Sequence, residues 1–155
     1  MQVNVSLGGI PKVGIPSADV TETGIVGDAW RYPFHGGRQQ AILLMTWEGI
    51  NELISQGFAL FPGALGENLT TLGLDRRGLQ VGQRFQVGRA AIRLTRVRLP
   101  CTTLDVYGSR IQAEMYDTRV QAGDAEAPRW GLSGFYASVV QPGVIRPGDP
   151  VMRLE

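Results

Sequence analysis

Residues 90–101 read Ala-Ala-Ile-Arg-Leu-Thr-Arg-Val-Arg-Leu-Pro-Cys. Successive side chains of a strand point to opposite faces, so Ala90, Ile92 and Leu94 share one face while Ala91, Arg93 and Thr95 share the other. The spacing predicts a strand over residues 90–99, with Cys101 in a rigid loop just beyond Pro100. On either side lie more short segments of the same kind. Residues 84–87 read as a strand, residues 41–45 form an apolar run of strand length, and Val3, Val5 and Leu7 alternate with polar residues. With 21 Gly and 9 Pro, turns come often, and frequent turns between short apolar segments predict a mainly β fold with minor α content, in a single domain of residues 1–155.

An internal echo points the same way. Leu79-Gln-Val-Gly-Gln-Arg-Phe resembles Ile145-Arg-Pro-Gly-Asp-Pro-Val, each a glycine turn feeding an apolar strand, as at the corners of small barrels. Helix is limited. Residues 47–56 place Ile50, Leu53 and Ile54 on one face, with Thr46 as N-cap and Gly57 as the stop. A weaker helix is expected over residues 109–117, and residues 121–129, poor in apolar side chains, read as a mobile loop.

Lys plus Arg number 15 against 14 Asp plus Glu, a balance that gives no electrostatic reason to expect nucleic acid or an acidic membrane as partner. Lys12 is the only lysine, in a Gly/Pro-rich loop with no motif around it. One cysteine excludes an internal disulfide and a zinc site of several thiolates. The start, Met-Gln-Val-Asn-Val-Ser-Leu, has neither a basic region followed by a long apolar run nor an Arg-rich transit character. No stretch approaches the ~20 apolar residues that span a bilayer. A cytoplasmic, reducing setting is expected.

Four segments carry a family resemblance: Phe34-His-Gly-Gly, Gly66-Glu-Asn-Leu-Thr-Thr with Gly73-Leu after it, Arg98-Leu-Pro-Cys101 with Leu104 after it, and residues 130–142 ending in Ala-Ser-Val-Val-Gln-Pro-Gly. In order and spacing, with Gly27-Asp28 upstream and a closing Pro-Gly-Asp, they resemble the MOSC domain, named after the C-terminal domain of molybdenum-cofactor sulfurase, in its free-standing bacterial form. The resemblance implies a barrel-like β fold. It also implies a molybdenum cofactor (molybdopterin) held through a cysteine at the position of Cys101, or a persulfide carried on that cysteine and supplied by a pyridoxal-phosphate cysteine desulfurase.

Each site residue has a functional and a plainer reading. Thiolate is the form that binds molybdenum or attacks sulfur, whereas an unreactive thiol is usually buried. Arg96 and Arg98, two apart on a strand, offer two forks to a pterin phosphate, or form a solvated face. His35 stands before Gly36 and Gly37, whose bare backbone lets an anion approach, or it hydrogen-bonds within a turn. Asn68 and Thr70 offer polar groups to a heteroaromatic edge, or Asn68 caps a turn. Thr102 and Thr103 are expected beside the thiol, Glu67 in a structural role, Asp28 bracing the first loop, and Trp30, Trp47 and Trp130 in packing.

Two functions follow from the resemblance. One is a molybdenum-dependent reductase of N-hydroxylated compounds. The chain carries no second cysteine for a cluster, no dinucleotide fingerprint and no haem motif, so its electrons would come from a separate reductase. The other is a sulfur carrier loaded by the desulfurase, which would hold the pyridoxal phosphate itself. A non-catalytic interaction module is the alternative to both.

Overall fold

The computed structural model describes all residues, 1–155. Its strands are β1 (Gln2–Val5), β2 (Val13–Gly14), β3 (Ala18–Thr21), β4 (Gly24–Ile25), β5 (Ile42–Thr46), β6 (Leu69–Thr71), β7 (Arg84–Val87), β8 (Ala90–Val97), β9 (Phe135–Gln141), β10 (Gly143–Ile145) and β11 (Val151–Leu154). Three helices, α1 (Trp47–Ser55), α2 (Ile111–Met115) and α3 (Thr118–Gln121), complete the mainly β chain.

Eight strands form one sheet in the order β11-β7-β8-β9-β5-β6-β1-β2, and β10, β3 and β4 form a second, three-stranded sheet. The edge strands β11 and β2 are not hydrogen-bonded to each other. The expected barrel is therefore not a closed one. The segments that echo each other feed β7 and β11, which pair antiparallel from Val87↔Val151 to Arg84↔Leu154. Their glycines, Gly82 and Gly148, both have positive φ, +94° and +86°.

The apolar run at residues 41–45 becomes β5, with all five of its residues buried. It lies between β9, antiparallel, and β6, parallel. A parallel neighbour needs a crossover, which begins with α1. The Thr46 hydroxyl accepts the Gly49 N–H at 3.1 Å, and Ile50 and Leu53 are buried. The helix ends before Gly57, at φ +101°, as its capping residues predict.

In β8, Ala90, Ile92 and Leu94 are buried and Arg93 is exposed, as the alternation predicts, but Ala91 is buried as well. The weaker helix shrinks to α2. Residues 121–129 prove well tied: Asp117 caps α3 through the Val120 N–H, Arg119 bonds Asp124, and Ala127 is buried.

Candidate functional site

Arg98 is the first residue past β8. Its amide donates to the Gly134 carbonyl at 2.9 Å and its carbonyl accepts the Ser133 hydroxyl at 2.6 Å, which fixes the strand's exit. Leu99 and Pro100 lead to Cys101, which opens a 3-10 turn over Thr102–Tyr107. The thiol is free and half-buried, with Sγ 2.7 Å from Thr103 Oγ1.

A cavity of about 270 Å³ lies against this loop. Cys101, Thr103, Arg96, Arg98, His35 and Asn68 all line it, drawn together from segments far apart in sequence. Its lining carries Lys12, Arg31, Arg96 and Arg98 and no carboxylate. Since basic and acidic residues are nearly equal in the whole chain, this segregation makes the cavity attract anions.

Arg98 is only 6% exposed, and its Nη1 is buried without a hydrogen-bond partner. A buried donor left unpaired is costly to a fold. Arg96 differs from it. The strand ends at Val97, between the two, so the alternation of side chains does not carry over to Arg98. Arg96 is exposed, donates to Gln40 Oε1 at 2.5 Å and lies 5.3 Å from the centre of the Tyr136 ring. The two arginines share the cavity but do not form a matched pair of forks on one strand face.

His35 closes a short turn, Pro33–His35, its amide donating to the Tyr32 carbonyl at 3.0 Å. Its ring stands edge-on to Phe34, with centres 4.7 Å apart. Burial first, and then the Arg98 charge, lower its pKa, so the ring is neutral at pH 7. Gly36 and Gly37 do not line the cavity. A Cβ on Gly36 would stand 2.6 Å from Trp30 Cδ2, so this glycine lets the indole close against the turn. Trp30 in turn forms part of the cavity wall, whereas Trp130 is buried and donates its indole N–H to the Leu79 carbonyl at 2.8 Å.

Thr70 and Thr102 lie outside the cavity. Thr102 is exposed. The Thr70 hydroxyl donates to Glu67 Oε1 at 2.9 Å and accepts from Asn4 Nδ2 at 3.1 Å. Every residue of β6 is buried, so its threonines serve the interior. Asn68 lines the cavity with its amide already committed: Oδ1 accepts the Leu43 N–H at 3.0 Å, and Nδ2 donates to the Asn4 carbonyl at 3.3 Å and to Asp28 Oδ2 at 2.8 Å.

Lys12 is the residue that the sequence does not single out. It is 6% exposed, lines the cavity and forms an ion pair with Asp28, whose side chain is itself buried. Asp28 also accepts the Ser6 N–H at 2.9 Å, so it does brace the first loop. Its partners lie far off along the chain, and no local pattern around Lys12 announces them.

A model of the MOSC domain matches residues 31–152. "Uncharacterized protein YflK" of Bacillus subtilis (strain 168) is 28% identical over 120 residues, 74% of this chain and 48% of that protein. "Protein YiiM" of Escherichia coli (strain K12) is 28% identical over 141 residues, 85% of this chain and 57% of that protein. The chain thus spans about half the length of these curated relatives. The crystal structure of YiiM from Geobacillus stearothermophilus superposes with a TM-score of 0.73 at 26% identity, covering 99% of this chain and 73% of the other. With the family model covering most of its length, the chain belongs to the MOSC domain family.

Proposed function

We propose that the cavity binds a molybdenum cofactor, with Cys101 as the protein's ligand to the metal, and that the loaded protein reduces N-hydroxylated compounds with electrons from an external donor. The observation that carries this reading is a cavity lined by cations and a free thiol, one of whose lining residues, Arg98, keeps a buried Nη1 without a partner. No three His, Cys, Asp or Glu side chains gather into a metal site. A metal held here would therefore take its remaining ligands from an organic cofactor.

The residues present fit such a group. Arg98, with Arg31 and Arg96, suits a phosphate, for which the guanidinium fork is well shaped. Cys101 supplies a soft thiolate of the kind molybdenum accepts. Thr103, beside the sulfur, would orient it. The cofactor, when bound, would supply the two-electron chemistry that these side chains lack.

The test measures molybdenum and pterin in protein made in a host that synthesises the cofactor, for the wild type and Cys101→Ser. A serine hydroxyl ionises far less readily than a thiol and is a poorer ligand, so both contents should fall together at matched stability. Equal contents in the two proteins would overturn the ligand assignment. Persulfide on wild-type Cys101, with neither molybdenum nor pterin present, would favour a sulfur carrier loaded by a cysteine desulfurase.

A further inference from the structure

Lys12 carries the one ammonium of a side chain in this protein, and its placement is unusual for lysine, whose flexible stem normally keeps the charge in water. It is buried, it lines the cavity that holds Cys101, and the only hydrogen bond of its ammonium goes to Asp28. Asp28 is held in place by the Ser6 amide and the Asn68 side chain. A lysine ammonium has three N–H bonds, and Asp28 takes one of them.

We propose that Lys12 is the proton donor to the departing oxygen in the reduction, and that Asp28 is the residue that positions its ammonium. The inference rests on the reductase reading above. Converting R–NH–OH to R–NH2 and water takes up two electrons and two protons. The two electrons would be supplied by the external donor with the cofactor bound, and the N–O bond breaks. Lys12 Nζ gives one proton to the oxygen, which leaves as water. The second proton reaches the nitrogen from solvent, and solvent then reprotonates Lys12.

The other groups in the lining are less suited to this step. Arg31, Arg96 and Arg98 hold their protons at any working pH. His35 is neutral at pH 7, because burial and Arg98 lower its pKa, and Cys101 is assigned to the metal. Around Lys12, burial lowers the ammonium below the ordinary lysine value; Asp28 and, more weakly, Glu67 oppose that shift, and Arg98 adds to it. The net direction brings the proton closer to the range in which it is given up easily.

Because the chain has one lysine, isotope-labelled lysine gives a single side-chain NMR signal, whose midpoint can be followed in wild type and Asp28→Asn without any turnover. The expected midpoint lies below that of free lysine and falls further in Asp28→Asn, which removes the opposing charge. In the loaded enzyme, the basic limb of kcat/KM against pH should fall at the same midpoint and move with it. Lys12→Arg should keep molybdenum and pterin content while losing roughly hundredfold or more in kcat/KM. A limb that does not follow the NMR midpoint, or full activity in Lys12→Arg, would overturn the proposal. The comparison of limb and midpoint needs only wild-type protein, so it decides the matter even if Lys12→Arg does not fold. Wild type without molybdenum overturns the reductase reading and this inference together; molybdenum with activity indifferent to Lys12 overturns this inference alone.

Discussion

Glu67 takes the Gly63 N–H at 2.7 Å on one carboxyl oxygen and leaves the other oxygen buried with no partner. Burial raises its pKa, against the pull of its hydrogen bonds and of Arg98. The folded state therefore keeps this proton to a higher pH than the unfolded chain, and stability falls as pH rises from about 4 through the folded value. Glu67→Gln keeps an acceptor for Gly63 and Thr70 but does not ionise. Thermal melts from pH 4 to neutral should show wild type losing ground to Glu67→Gln over that window, and parallel curves would clear the carboxyl of the effect.

Arg98→Met should cost little stability, because the residue's bonds to Gly134 and Ser133 are made by its backbone and Nη1 satisfies nothing in the protein. It should weaken anion binding by about 10–100-fold, the worth of a hydrogen bond to a charged group. Titration with inorganic phosphate, and the cofactor content of the purified variant, would measure this; unchanged affinity would mean that the guanidinium does not face the ligand.

Arg76 gives the opposite pattern. It grips Glu52 through Nε at 2.9 Å and Nη2 at 2.7 Å and also donates to the carbonyls of Pro128 and Trp130. Glu52 is 47% exposed and would regain water if abandoned, so the loss falls mainly on the two carbonyls. Arg76→Met should cost on the order of 2–4 kcal/mol in urea unfolding. Arg76→Lys should recover little of it, since one ammonium cannot match the fork.

Gly63 and Gly73 have nearly the same backbone, φ +89° and +86°, but a Cβ on Gly63 would meet the Lys12 carbonyl oxygen at 2.1 Å, while one on Gly73 meets nothing within 4 Å. Gly73→Ala should cost about 1–2 kcal/mol of left-handed strain. Gly63→Ala should cost clearly more and disturb Lys12, visible as a displaced lysine signal in labelled protein. Equal losses would show that the loop yields without effort.

Much of the fold was legible because its signals are local. The hydroxyl of Thr46, the spacing of Ile50 and Leu53 and the turn at Gly57 sit within one short window, and so does the alternation of Ala90, Ile92 and Leu94. Thr70 was not legible, since its interior role depends on β6 lying between β5 and β1 inside the sheet with all three of its residues buried, which no window of sequence contains. The gathering of His35, Asn68, Arg98 and Cys101 was reached through the family pattern. Lys12 escaped it because its meaning lies in Asp28 and the cavity rather than in its neighbours. The divergence of Arg96 from Arg98 turns on the end of the strand at Val97, which alternation alone does not mark.

Asn68 ties β5, β1 and the Asp28 loop together through one amide. The floor of the cavity is therefore shaped when the chain folds, before any ligand arrives. The conformational entropy of arranging Asp28, and through it Lys12, is lost in folding and does not recur at each encounter, so a ligand meets a rigid receptor. Affinity gained in this way comes without additional contacts, and loosening the amide by Asn68→Ala should weaken binding chiefly through an entropic penalty, even though neither of its N–H groups is left to touch the ligand.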